Sequence, residues 1–213
     1  MLPDFAPREW EGETIVIIAS GPSLSAAEVA RVKTARDAGQ CRVCVINTTY
    51  RLAPWADFLY ACDDSWWLDN APEFAGERWT QSPQAAQYGA RRCPGKPGYV
   101  ISDNPAYIYF GGNSGFQAIN LAYLMGAARI VLLGFDMSAT GGRLHWHPDH
   151  GGSCHNPPIS QLNRWREVVD NSAAPLVDRG VKIVNCTSET ALVEWPRATL
   201  DEVFCDETDN PKM

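Results

Sequence analysis

The chain has 213 residues, 45% of them hydrophobic, with a formal net charge of −7 and an isoelectric point near 5.1. That length supports a real core and fits one domain over residues 1–213, with or without an insertion, while the acidic balance gives no support to a general nucleic-acid or anionic-membrane binder. No apolar run approaches a membrane span and residues 1–10 carry no signal-peptide core, so a cytoplasmic location is expected, with the seven scattered cysteines as reduced thiols.

Residues 14–19 form a continuous β-branched run and predict a buried strand, closed by the turn Ser20-Gly21-Pro22-Ser23. Ser25 and Glu28 then have capping-box spacing and open a helix that stops before Gly39. A second strand is expected at residues 42–46. Cys41 and Cys44 match C-x-x-C, but they precede and enter that strand rather than a helix, so they read as two core thiols. A third, short strand is expected at residues 58–62, ending at Asp63 and Asp64.

From residue 65 to 98 prolines and glycines interrupt every period, which predicts an irregular insertion with short helices. Residues 98–102 are a candidate strand. Gly111-Gly112-Asn113-Ser114-Gly115 opens the clearest helix, which Gly126 closes. A strongly apolar strand follows at residues 129–135, ending in Asp136. Residues 159–178 predict one long helix, kinked at Pro175, and residues 181–185 a last strand. The core therefore runs from about 14 to 192, and the tail after Pro196 reads as peripheral. Alternating strands and helices predict a Rossmann-like, mainly parallel sheet covered on both faces.

All four histidines fall between residues 145 and 155, in a loop that directly follows the strand at 129–135: His145, His147, His150 and His155. A polar loop at the end of a buried parallel strand is where open α/β folds put their chemistry. Three readings are open. One or two histidines act as acid, base or phosphate contact; a metal binds among His145, His147, His150, Cys154 and His155, although no standard zinc spacing is present; or the imidazoles simply order the loop.

Other candidates share that carboxyl edge. The turn Ser20, Gly21, Pro22 and Ser23 offers backbone N–H groups at a helix start, suited to phosphate, or is a plain turn. Asn113, Ser114 and Gly115 repeat the arrangement, with helix capping as the competing explanation. Asn47 and Asp63 end strands, and Asp136 is either a ligand group or the cap of its own loop. Trp66, Trp67 and Trp146 either stack on a base or sugar or fill a core.

In this order, Gly21-Pro22-Ser23-Leu24, the strand end at Asn47, Asn113-Ser114-Gly115, the run from Ile130 to Asp136, and the histidine segment resemble the compact bacterial sialyltransferases that use CMP-sialic acid. The same Gly-Pro-Ser-Leu and Gly-Phe-Asp blocks resemble the hydroxymethylpterin diphosphokinase-like domains. Gly-Phe-Asp-Met, then His-Trp-His, then Asn-Pro, is similar to small uncharacterised phage and prophage proteins.

The resemblance implies a nucleotide-dependent, glycosyltransferase-like transferase with a nucleotide-sugar donor, CMP-linked in that family, and a small-molecule or glycan acceptor. The Gly21–Leu24 turn and Ser114 would hold the donor, and Asn47, Asp63, Asp136 and His150 would complete the pocket. His147 first, and His145 second, would be the general base, with no metal. Tyr107 and Tyr109 are candidate stand-ins for that family's phosphate-contacting tyrosines. Two alternatives stand beside it. One is diphosphoryl transfer from ATP with Mg2+ on Asp63, Asp64 or Asp136; the other is a non-enzymatic nucleotide- or zinc-binding phage module.

Overall fold

A computed structural model describes residues 4–139, 141–148, 152–154 and 156–205. The elements, in chain order, are β1 (Thr14–Ile18), α1 (Ala26–Asp37), β2 (Arg42–Ile46), β3 (Phe58–Tyr60), α2 (Asp64–Asn70), β4 (Glu77–Thr80), β5 (Arg91–Arg92), β6 (Gly95–Lys96), β7 (Ile108–Tyr109), α3 (Ser114–Leu124), β8 (Arg129–Leu133), α4 (Ile159–Asp170), α5 (Ala173–Asp178), β9 (Lys182–Asn185) and α6 (Leu200–Val203). Two short 3-10 segments, Asn47–Arg51 and Gln84–Tyr88, lie between β2 and β3 and between β4 and β5.

Seven strands form one parallel sheet in the order β5-β4-β3-β2-β1-β8-β9. At its centre Ile15 faces Ile130, Val16 faces Val131, Ile17 faces Leu132 and Ile18 faces Leu133. These side chains are fully or almost fully buried, as expected of a parallel sheet covered on both faces. Alternate residues feed two cores. Ile15, Ile17, Ile130 and Leu132 pack with α3 and with Val169 and Leu176 of α4 and α5. Val16, Ile18, Val131 and Leu133 pack with Val29, Val32 and Ala35 of α1 and with Trp66 and Trp67 of α2. The architecture is a Rossmann-like α/β sheet without a closed barrel.

Local chemistry explains most boundaries. Ser25 accepts from the Glu28 amide, and Glu28 Oε2 accepts from the Ser25 amide at 2.8 Å, completing the capping box of α1. Asn113 caps α3 by accepting from the Phe116 amide at 2.8 Å.

Four expectations are corrected. Within residues 65–98 the chain adds β4 and β5 to the main sheet; their charge hid them, because Arg91 lies over the Trp79 ring, 4.4 Å from its centroid, and pairs with Glu77 at 3.0 Å. Residues 98–102 are not a strand. The Asn120 side chain of α3 takes both backbone groups of Ser102, at 2.9 and 3.0 Å, in place of a ladder partner. A two-stranded ribbon of β6 and β7 forms nearby instead.

The long helix is two, broken at Asn171 and Ser172, where the Ser172 hydroxyl bonds the Val169 carbonyl at 2.6 Å. Pro175 falls in the first turn of α5, where its missing N–H removes no helical bond. Residues 197–205 dock on α1: Leu200 and Phe204 are buried, and Arg31 reaches Asp201 at 2.7 Å and the Phe204 carbonyl at 2.6 Å. Among the described residues no helix is long and apolar enough to cross a membrane.

Candidate functional site

Strand order reverses between β1 and β8, since β1 leads to β2 on one side while β8 and β9 extend the other. In open α/β sheets, that switch point leaves a crevice at the carboxyl ends of the strands. Here it is a cavity of about 430 Å³. Its floor is Ser20 and Gly21 after β1, Asn47 after β2, Asp63 after β3, and Gly134, Phe135 and Asp136 after β8. One wall is the start of α3, Gly112 to Gly115, with Leu162 and Trp165 of α4; the roof is Leu144, His145, Ser153 and Cys154. Among the described residues no lysine or arginine lines it. A larger depression, about 760 Å³, lies at the opposite edge of the sheet, but its lining charges are paired, Arg36 with Asp57 and Arg42 with Glu13.

The turn after β1 is packed unusually close to β8. A Cβ on Gly21 would lie 1.9 Å from Asp136 Oδ1 and 2.5 Å from the Gly134 carbonyl oxygen. Gly134 adopts φ +70°, a conformation that glycine alone enters without strain, and an added Cβ there would lie 2.7 Å from the Ala19 carbonyl oxygen. Asp136, 1% exposed, accepts from the Ser23 amide at 2.9 Å and the Ser23 hydroxyl at 2.8 Å.

Neighbouring N–H groups are used as well. Gly21 donates to Gly134, Leu24 to Gly21 and Ser25 to Glu28. The Gly21 and Ser23 amides, expected to meet a phosphate, are therefore engaged within the protein, the second of them by a carboxylate. Pro22 and Ser23 do not line the cavity.

At the other wall Ser114 Oγ joins two strand ends, accepting from the Cys62 amide at 3.2 Å and lying 3.3 Å from Asn47 Oδ1. Asn47 holds φ +49° and Met137 φ +52°, and both line the cavity. Left-handed backbone outside glycine costs of order 1–3 kcal/mol and concentrates at functional sites. Burial raises the Cys62 thiol far above its ordinary value, and desolvation raises that of Cys154.

The histidine loop is fastened over this crevice. The Trp146 amide donates to the Ser20 carbonyl at 3.0 Å, and its indole N–H to Thr49 Oγ1 at 3.3 Å; Thr49 in turn donates to the Ala19 carbonyl. The Ser153 amide donates to Asp69 at 2.8 Å, and Cys154 Sγ lies 3.7 Å from Ser65 Oγ. His145 Nδ1 lies 3.2 Å from Ser20 Oγ. His147 stacks behind it, ring centroids 4.8 Å apart and 4° from parallel, with its Nδ1 2.7 Å from the Pro148 carbonyl.

The structure thus brings Ser20, Gly21, Asn47, Asp63, Asn113, Ser114, Gly115, Asp136 and His145 around one cavity, and leaves Pro22, Ser23 and His147 out of its lining. His150 and His155 lie outside the described residues. Trp66 is both a core residue and part of the cavity surface, whereas Trp67 is core alone. Tyr107 and Tyr109 pair edge to face, 5.5 Å between centroids, and neither reaches the cavity. Sequence reasoning did not select Thr49, Ser65, Asp69 or Trp165. Trp165 has the spacing of an apolar helix face, which signals core and nothing of the cavity wall its indole forms.

For Mg2+ the carboxylates do not converge: Asp64 is turned to the Ser82 hydroxyl and Asp136 to Ser23. Among the described residues no three His, Cys, Asp or Glu side chains are grouped to hold a metal ion.

No protein-family model matches the chain, and no curated protein matches it. Its fold is similar to that of the MAf glycosyltransferase from Magnetospirillum magneticum AMB-1. The TM-score is 0.65 at 12% identity, over 94% of this chain and 36% of that one. The likeness is one of α/β fold, and the chain spans about a third of that neighbour's length.

Proposed function

We propose that the crevice binds a nucleotide-linked sugar and transfers the sugar to an acceptor hydroxyl, with His145 as general base. The observation that carries this reading is an imidazole held over the cavity at the β1/β8 switch point, 3.2 Å from Ser20 Oγ. The glycosyltransferase-like fold supports it. In the reaction, His145 takes the acceptor proton as that oxygen bonds the anomeric carbon, and the nucleotide leaves with the electron pair of the broken C–O bond. Histidine suits this step because its ordinary pKa lies near working pH.

Asn47 and Ser114 are the donor-side contacts, and the opening turn of α3, where the Ser114 and Gly115 amides precede the first intrahelical bond, is better disposed to the donor's phosphate than the engaged turn at Ser23. His147 takes a supporting place behind His145. Among the described residues the cavity lining has no lysine or arginine, which favours a donor with one phosphate charge, CMP-linked, over a diphosphate.

A thermal-shift panel of CMP, CDP, UDP and GDP tests the binding step, since a ligand of the native state raises the melting point with occupancy. The reading expects one nucleotide to stabilise the wild type and fail with Leu144→Trp, which fills the roof. Transfer to glycan acceptors should fall roughly 10²–10⁴-fold in His145→Ala. No shift with any nucleotide would refute it.

A further inference from the structure

The Asp63 carboxylate stands apart from the engaged groups of this crevice. Asp63 follows β3, lines the cavity and is exposed. It holds the N-cap position of α2, yet its side chain makes no capping bond, unlike Ser25 and Asn113 at the starts of α1 and α3. Among the described lining residues no lysine or arginine meets it. After desolvation, its charge is the next cause that raises the Cys62 thiol, and it also reaches Cys154 on the roof. We infer that Asp63, together with Asn47, reads the 2′,3′-diol of a ribose, so that the site selects ribonucleotides over 2′-deoxyribonucleotides. This rests on the reading of the crevice as a nucleotide site.

The chemistry of the pair carries the assignment. The Ser114 hydroxyl accepts from the Cys62 amide and donates to Asn47 Oδ1, so the residue beside Asp63 and the Asn47 side chain both lie within 3.3 Å of one oxygen. With Oδ1 taken, Nδ2 is the donor end that Asn47 offers a ligand. An ionised carboxylate only accepts, through two oxygens, so whatever meets Asp63 must donate. A vicinal diol supplies two O–H donors side by side, and its oxygens accept in turn from an amide such as Asn47 Nδ2. Ribose, rather than the transferred sugar, follows from position. The opening turn of α3 takes the phosphate, Ser114 of that turn bonds the amide beside Asp63, and the ribose is joined directly to that phosphate. The transferred sugar has to meet the acceptor on the His145 side instead. Like charge keeps the phosphate away from Asp63, so the carboxylate orients the nucleotide as well as selecting its sugar.

Calorimetric titration with CMP and with 2′-deoxy-CMP, or with the same pair for whichever nucleotide the panel selects, tests this. Wild type should bind the ribonucleotide at least roughly tenfold tighter, the worth of a hydrogen bond to a charged group. Asp63→Ala should erase that preference by weakening CMP while leaving 2′-deoxy-CMP little changed. A merely structural role would weaken both nucleotides alike and leave their ratio as it was. Equal binding of the two by wild type, as a contact to the base amino group would give, overturns the inference, and so does a ratio unchanged in Asp63→Ala. Where that variant folds poorly, Asp63→Asn, which keeps the shape and one acceptor oxygen, should reduce the ratio; an undiminished ratio there also overturns the inference.

Failure of the transferase reading is scored separately. If no nucleotide stabilises the protein, that reading fails, and ribose 5-phosphate and 2-deoxyribose 5-phosphate are titrated at millimolar concentration in place of the nucleotides. A preference for ribose 5-phosphate that Asp63→Ala abolishes sustains the diol inference on its own. Absence of binding, or binding of both alike, overturns it. A nucleotide that binds without regard to its 2′-hydroxyl leaves the transferase reading in place and removes this one.

Discussion

Replacing Gly21 with alanine isolates the closeness of the two central turns. Gly21 does not adopt a left-handed conformation, so alanine meets no backbone penalty there and the whole effect is steric. The new methyl would sit 1.9 Å from Asp136 Oδ1 and 2.5 Å from the Gly134 oxygen, against an ordinary contact of about 3.5–4 Å. Asp136 can swing away only by releasing the Ser23 amide and hydroxyl, hydrogen bonds to a charged group worth about 1.5–3 kcal/mol each.

That movement does not relieve the Gly134 carbonyl, which is backbone at the end of β8. Overpacking of this kind costs about 1–3 kcal/mol. Allowing for relaxation, the expected loss is about 4 kcal/mol, a fall in Tm of roughly 8–16 °C for a chain of this size. Gly180→Ala is the control. Gly180 has φ +81° and no heavy atom within 4 Å of an added Cβ, so only the left-handed penalty of about 1–2 kcal/mol applies. Urea unfolding of both variants gives the comparison. If Gly21→Ala loses less than about 1 kcal/mol, or no more than Gly180→Ala, the packing argument for this turn is wrong.

Two further outcomes follow from ionisable groups. Hydrogen bonds from Arg179, and then from Tyr123, hold the Asp103 carboxyl down to about 2, below its ordinary 3.8. A depressed carboxyl stabilises the fold above the unfolded pKa and loses that contribution as pH falls through the folded one, so the window is about pH 4 to 2. Asp103 is 60% exposed, and solvent screening limits the effect to under about 1 kcal/mol. Urea midpoints of wild type and Asp103→Asn should differ at pH 5 and converge near pH 2; a constant gap would contradict the assignment. Burial pushes the Cys41 and Cys93 thiols up to about 12 and Cys186 to about 11, while Cys44 and Cys62 are enclosed and Cys205 is exposed. A thiol reagent such as DTNB should therefore modify Cys205 first, Cys154 slowly, and the other five only on unfolding. Rapid reaction of three or more thiols in the native protein would count against this packing.

The central elements were legible because their sequence carries its own signal. The β1 and β8 runs are apolar on both faces, and Ser25 with Glu28 marks the start of α1. β4 and β5 were hidden because a strand of four residues beginning Glu77-Arg78, and one of two arginines, has no hydrophobic period; only the neighbouring β3 and the Trp79 ring make them strands. Residues 98–102 looked like a strand because the competitor for their backbone, Asn120, lies on a distant helix. For the site, strand ends and histidine clustering located the cavity, and Asn47, Ser114 and His145 meet there. The division of labour among them was not legible. Whether Ser23 faces a ligand or Asp136, and whether His145 or His147 faces the cavity, depends on contacts between segments more than a hundred residues apart or on the path of a loop.

The central position of β1 also bears on how the chain comes off the ribosome. One of its two neighbours, β2, follows within a few dozen residues, but the other, β8, begins only at residue 129. Until that segment has been synthesised, the Ile-Val-Ile-Ile strand is an exposed edge, offering unpaired amides and carbonyls and a strongly apolar surface to any other extended chain. Long-range parallel pairing is intrinsically slow, because loop closure must precede the contacts that reward it. Nascent chains halted before residue 129 should therefore self-associate or engage holdase chaperones, and release into a monomeric state should coincide with the emergence of β8.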